Sequence, residues 1–428
     1  MKSFLSRFLA GRTAADLVLI CALAASVLFS LISISLAEGF LAIALAAWII
    51  LLILKKRRFE TPKFFWALAA YAALSLVSSA ASVNPKMSFW DSRELLLILA
   101  VPIVLAAIRR REDLVLLLGA FVLSAAANGL YAVGYRVLVP RDPNVDIWRI
   151  KSFMGHYMTE AGITALFIAF ALGILFAGFA RRAKSPAGAG GRGLFTTERI
   201  VWGTALVIAA AANVLTYARG AWIGIGAALV VAIFLWKPKA LIVLPVIAVL
   251  GLVAAPKSIR DRALSIFTLR DNSNIARVQY FKAGLKIIGD YPLLGTGPDT
   301  VDMVFQDSKY GLGEYAIHNV HLHSNAVQIA AERGIVTLLA WLAFLVLAAI
   351  GTWPLCRPPR DSAAPPEALL RRKVAAGTLA MLAAFFFAGF FEYNFGDSEI
   401  AQLLLVLTAL PFAAHRLERE AHGPNHAA

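Results

Sequence analysis

Apolar runs separated by short polar breaks fill nearly the whole chain. Twelve can be counted, near residues 15–37, 40–54, 65–81, 95–108, 114–135, 159–179, 200–216, 221–236, 240–254, 334–352, 374–390 and 399–414. A helix of about 20 apolar residues crosses a bilayer, and several of these runs reach that length with their flanks. Lipid offers no partner to open backbone, so runs this long favour helices over barrel strands. The pattern predicts an all-α polytopic membrane protein of about twelve transmembrane helices, one integral membrane domain over 1–428. Residues 255–333 form the one long polar stretch. Loops of that size are usually functional. Inside it, residues 274–288 have helical periodicity, with Ala276, Tyr280, Leu285 and Ile288 along one side, and predict an amphipathic helix along the membrane surface.

Composition agrees. The chain is 60% hydrophobic and 16% charged, more apolar surface than a soluble domain could hide. The basic start, the first apolar run and Ser35-Leu36-Ala37 imitate a signal peptide, but the run is too long for one and reads as a retained first helix. Cys21 and Cys356 fall near different membrane faces, which argues against a disulfide framework or a cysteine metal site. The Gly/Ala-rich segment Lys184 to Gly193 reads as a flexible linker.

In a soluble protein the net charge of +15 would suggest nucleic acid. Here the charges are sorted by loop instead, and no nucleic-acid partner is expected. Lys2/Arg7/Arg12, residues 55–63, Arg109 to Arg111, residues 181–199, Lys237/Lys239, residues 357–373 and Arg416/Arg419 hold 25 of the 41 Lys and Arg residues. Cytoplasmic loops carry that excess, so these segments and both termini are expected to be cytoplasmic. Left on the other side are Glu38-Gly39, about 82–94, about 136–158, the turn 217–220, 255–333 and 391–398.

The candidate chemistry falls in those outer loops. His318, His321 and His323 lie within six positions. They can be read as a zinc site, as structural residues, or as a place where one of them is a general base; imidazole titrates near neutrality, which favours the last. No carboxylate or cysteine stands at helical spacing to complete a metal site. Arg219, in Thr216-Tyr217-Ala218-Arg219-Gly220-Ala221-Trp222, sits between two apolar runs, where a guanidinium needs a partner. Arg277 lies on the amphipathic stretch, ahead of Pro292-Leu293-Leu294-Gly295-Thr296-Gly297, whose G-T-G is a weak phosphate signal. Lys257, Arg260, Arg262, Arg270, Lys282 and Lys286 make this region basic, as an anionic ligand would require. Arg149 and His156 lie in another outer loop, and Glu392, Asp397 and Glu399 in a short acidic turn that can pair with an arginine. The chain has no D-x-D, P-loop or G-x-S-x-G.

In order along the chain, the Arg219 turn, Arg277 with its following P-x-x-G-x-G, and His323-Ser324-Asn325 with Gln328, Glu332 and Gly334 resemble the bacterial O-antigen ligase and polymerase superfamily of inner-membrane proteins. The resemblance covers about residues 200–350. It implies a glycosyltransferase acting at the periplasmic face, without cofactor or metal. The implied donor is an undecaprenyl-pyrophosphate-linked glycan, and membrane lipid surrounds the site. By position, Arg219 and Arg277 would hold the pyrophosphate and His323 would activate the acceptor hydroxyl, with His321, His318, Arg149, His156, Asp397 and Glu392 as substrate-binding candidates. Ser324 departs from the asparagine that often follows the histidine, and His318 and His321 crowd the motif. Protein O-oligosaccharyltransferases of the superfamily usually continue into a larger C-terminal region, and polymerases match the motifs less cleanly. A ligase with lipid A–core oligosaccharide as acceptor is therefore preferred. A flippase for a lipid-linked glycan is the rival from another class, but transporters carry polar sites near the bilayer midplane.

Charge sorting makes a topological prediction. Reporter tags at both termini and in 181–199 and 357–373 are expected to read as cytoplasmic, and tags in 255–320 as periplasmic. A cytoplasmic readout from 255–320 would remove the basis for placing the site outside.

Overall fold

A computed structural model describes residues 2–139, 148–179, 196–268, 272–312, 320–358 and 366–421. Every regular element among them is a helix. Seven helices are long and apolar enough to cross a membrane: Ile34–Ile53, Arg111–Leu138, Tyr157–Phe179, Thr197–Leu215, Arg219–Trp236, Asn325–Cys356 and Ser398–Ala421. Ala14–Phe29, Phe64–Ala80 and Pro238–Ala254 are shorter apolar helices. Pro366–Ala388 covers the run at 374–390, with Arg371, Arg372 and Lys373 in its first two turns.

Two boundaries differ from the apolar pattern. The run expected at 15–37 breaks after Phe29, and a new helix begins at Ile34. Ser33 causes the restart: its side chain accepts the Leu36 N–H and caps the second helix. Glu38 and Gly39, expected in a loop, therefore lie inside that helix. The run expected at 95–108 is a 3-10 stretch, Ser92–Leu99, leading into the short α-helix Ala100–Ala107.

Among the long helices, Tyr157–Phe179, Pro366–Ala388 and Ser398–Ala421 are the most buried. Small residues let their backbones touch. A Cβ at Gly173 would run into the Ala376 backbone, and one at Gly224, on the neighbouring Arg219–Trp236 helix, into the Ala384 carbonyl. Such contacts suit membrane helices, which gain little from burying one apolar surface against another. By contrast, Leu244–Ala254 buries none of its side chains. A helix apolar on every face requires an apolar surround, which a bilayer supplies.

Helix ends sort into two sets. At one end Arg12 pairs with Asp113, Arg57 with Asp16 (2.5 Å), Arg416 with Glu60 (2.8 Å) and Lys373 with Glu198 (2.6 Å). At the other end lie the polar segments of the site. There the helix Asn272–Asp290 buries Ala276, Tyr280, Ala283 and Ile287 against Leu322, Val327 and Ala331. Leu285, expected on that face, is exposed. This helix docks on protein along its apolar side.

The Pro292–Gly297 turn is a backbone clamp. Thr296 and Gly297 donate their N–H groups to the carbonyls of Ala331 (2.9 Å) and Glu332 (2.8 Å), and Ile335 N–H donates to Pro292 O (2.9 Å). Those N–H groups, a weak phosphate signal in the sequence, are already used. The clamp grips a kink at Gly334, which stands at φ 83°, ψ 163°, inside the Asn325–Thr352 helix. A Cβ there would collide with the Leu293 carbonyl. Gly334→Ala is expected to cost on the order of 1–3 kcal/mol from backbone conformation, and more from the collision. Thermal unfolding in detergent checks this, with Ile335→Ala, at a partly exposed neighbour, as the mild control.

Candidate active site

One carboxylate gathers the sequence-predicted residues. Glu392 leaves the C-terminal end of the Pro366–Ala388 helix in a short turn. Its Oε2 lies 2.9 Å from His323 Nδ1 and its Oε1 3.5 Å from His321 Nε2. Arg277 Nη2 is 4.0 Å from Oε2, while Arg277 Nε donates to Phe391 O at 3.2 Å. Burial pushes the Glu392 carboxyl up, but His323, by charge and hydrogen bond, then His321 and Arg277 outweigh it and hold it at about 2. An ionised Glu392 accepts the Nδ1–H of His323, which fixes the tautomer with Nε2 as the acceptor nitrogen. His323 itself has φ 51°. A non-glycine residue held left-handed at the mouth of a helix is strained, and such strain gathers at functional sites.

On one side of Glu392 a pocket is lined by four arginines, Arg149, Arg219, Arg262 and Arg277. Ser273 joins two of them. Its hydroxyl accepts from Arg277 Nη1 at 2.7 Å and from Arg219 Nη2 at 3.4 Å. Arg219 also donates to Asn274 Oδ1 (2.8 Å) and to the Ser265 hydroxyl (2.7 Å) and carbonyl (3.0 Å). It is buried, and each of these bonds runs to a neutral oxygen. Arg262 Nε donates to Tyr217 O (3.2 Å), and Arg149 lies over the Tyr157 ring at 4.4 Å. A pocket of planar, permanently charged donors suits phosphate oxygens.

A buried polar chain sets the turns that carry these arginines. Asn128 donates to Glu160 Oε1 (2.8 Å) and accepts from Ser152 (2.6 Å), tying down the loop after Arg149. Asn213 donates to Ala161 O (2.9 Å). The Thr216 hydroxyl then donates to Asn213 O (2.6 Å) and accepts the Ala218 N–H (3.2 Å), which turns the chain into Arg219.

On the other side lies a cavity of about 180 Å³ lined by Asp91, Glu94, Asp299, Glu332, Asp397 and His321 among others. Arg333 spans its floor, donating to Asp91 (2.9 Å), Glu332 (2.8 Å) and Tyr393 OH (3.1 Å). Burial pushes Asp397 well up, and Glu399 and Glu392 add to it. One pocket is thus lined by guanidinium groups and the other by carboxyl groups around Arg333, with the histidine–carboxylate cluster between them.

Of the sequence candidates, Arg219, Arg277, Arg149 and Glu392 line the arginine pocket, while His321 and Asp397 line the carboxylate cavity. His156 lies beside Tyr157, ring centroids 5.0 Å apart and tilted, and lines neither. His318 and Arg270 lie outside the described residues. Sequence reasoning missed Ser273, Asn274 and the buried Arg333 network. Ser273 stands four positions before Arg277 on a helix, a spacing that brings side chains together. Asp91 and Arg333 come from distant segments, and no local signal joins them.

Residues 204–342 match the family described as O-antigen ligase. That segment, about a third of the chain, is similar to the O-antigen ligase family. No curated protein matches the chain. The matched segment contains Arg219, Arg277 and His323, whereas Glu392 and Arg149 lie outside it. The matched segment therefore brings three of the four pocket arginines and the imidazoles, and the last helical hairpin brings the carboxylate that orients them.

The His321 environment makes a pH prediction. Burial pushes this imidazole down to about 4; Glu392 opposes the shift and His323, His156 and Arg277 add to it. The unfolded chain, near 6.5, then takes up its proton first, so acidification from about 6.5 to 4 destabilises the fold. Above that window His321 contributes no pH dependence. Melting temperatures in detergent at pH 7, 5.5 and 4.5 are expected to fall more steeply for the natural chain than for His321→Gln. Glu392, with a depressed pKa, contributes stability that is lost only on acidification from about 4.5 towards 2, so the two windows separate.

Proposed function

We propose that this chain moves a glycan from undecaprenyl pyrophosphate to a sugar hydroxyl of lipid A–core oligosaccharide, at the periplasmic face of the bacterial inner membrane, with both termini cytoplasmic and about twelve spans. One observation carries the reading: the His323–Glu392 pair stands between a pocket of arginines and a cavity of carboxylates. The first suits a pyrophosphate. The second suits hydroxyls, which carboxylates accept from, and disfavours a second phosphate.

In this mechanism the acceptor O–H gives its proton to His323 Nε2 while its oxygen attacks the anomeric carbon. The bond from that carbon to the phosphate oxygen breaks with inversion. Negative charge grows on the departing pyrophosphate, where Arg219 and Arg277 neutralise it. Glu392 stabilises the imidazolium that forms and holds its ring. His321 and Asp397 lie on the acceptor side, Arg149 on the donor side.

The experiment is transfer from purified lipid-linked glycan to lipid A–core in detergent, with and without EDTA. His323→Ala is expected to lower transfer by about 10²–10⁴-fold while donor binding survives. Arg219→Lys, which keeps charge but loses the planar fork, and Arg277→Ala are each expected to lose on the order of 10²-fold. EDTA is expected to leave the rate unchanged. Wild-type rates in both arginine variants would sink the pyrophosphate assignment, and activity lost to EDTA would sink the metal-free mechanism.

A further inference from the structure

His321, His323 and Glu392 each present one ligand-capable atom, and these atoms lie within 4.8 Å of one another. The sequence offered no carboxylate at ligand spacing, yet the fold delivers one from 69 residues away. Around the single oxygen Oε1 of Glu392, the separations of 3.1 Å to His323 Nδ1 and 3.5 Å to His321 Nε2 bracket the ~3.3 Å between neighbouring ligands of tetrahedral zinc, given metal–ligand bonds of about 2.0–2.1 Å. The group borders both pockets, since Glu392 lines one and His321 the other, so an ion can arrive with water in its fourth position.

We infer that this triad captures a borderline-soft divalent ion, Zn2+ above all, and that capture inhibits the transferase. Two imidazoles and one carboxylate suit zinc and its neighbours in the transition series; Mg2+, which demands oxygen ligands, is excluded. Arg277, 4.0 Å from Glu392, opposes a second cation and keeps the site weaker than a structural zinc centre. The inhibition rests on the transfer mechanism proposed above. Zinc can take Nδ1 only once the proton there has left; in the neutral ring that proton moves to Nε2, which then has no lone pair to receive the acceptor's proton. The same three groups therefore serve either proton transfer or the ion.

The test is calorimetric titration of the full chain in detergent, freed of metal beforehand, with ZnCl2 and separately with MgCl2. One Zn2+ per chain and no Mg2+ binding are expected. His321→Ala and Glu392→Gln are each expected to weaken Zn2+ by more than about tenfold, since even groups behind a ligand are worth 10–100-fold. Unchanged melting temperature and gel-filtration profile show that a variant is folded, and His321→Asn provides a second, polar replacement. No Zn2+ binding by the natural chain, or equal binding by all folded variants, would overturn the site and leave the transfer mechanism standing. In the transfer assay Zn2+ is expected to inhibit and EDTA to restore the rate. Stimulation by Zn2+ would instead overturn the inhibition and, with it, the metal-free mechanism.

Discussion

A single part-buried carboxylate holds the site in register. Without Glu392, the ring of His323 would lack the partner that fixes its tautomer, and Arg277 would face two imidazoles with no anion nearby. The three groups it contacts come from the helix Asn272–Asp290 and from the approach to the Asn325 helix, while Glu392 follows the Pro366–Ala388 helix. One anion thus brings three chain segments to a point. Removing a single partner from such a part-buried cluster leaves charge poorly compensated, which costs more than the contact itself contributes.

Behind that point the apolar bundle imposes a second condition. Polar groups among the helices have no water to turn to, so each needs an internal partner. Glu160, fully buried, and Asn128, Asn213 and Thr216 meet the need mainly with one another and with backbone carbonyls. Their bonds fix the two turns that bear Arg149 and Arg219. The arginine pocket therefore owes its shape to groups that never touch it.

The helices were legible because their signal is repetition of apolar residues, and the arginines and histidines because polar groups are rare in such a chain. What escaped was cooperation between distant segments. The Ser33 cap that splits the first apolar run is local but weak beside the hydrophobic signal around it. The Pro292–Gly297 turn carried a weak phosphate signal because glycines serve any close approach; that the approaching group is the Gly334 kink is visible only in three dimensions. Glu392 stood out merely as one acid among three, and the Asp91–Arg333 pair, 242 residues apart, left no trace in the sequence.

The glycine-tight packing of Gly173 on Ala376 and Gly224 on Ala384 divides the molecule by tolerance to change. Contacts made backbone to backbone leave no room for even one added methyl group, so these interior positions are frozen to substitution. The segments that line the two pockets are mostly turns and helix ends, where side chains can be exchanged without shifting a helix axis. A fold built this way can acquire new ligands by drift at its rim while its trunk stays constant, which makes the rim the place to re-engineer.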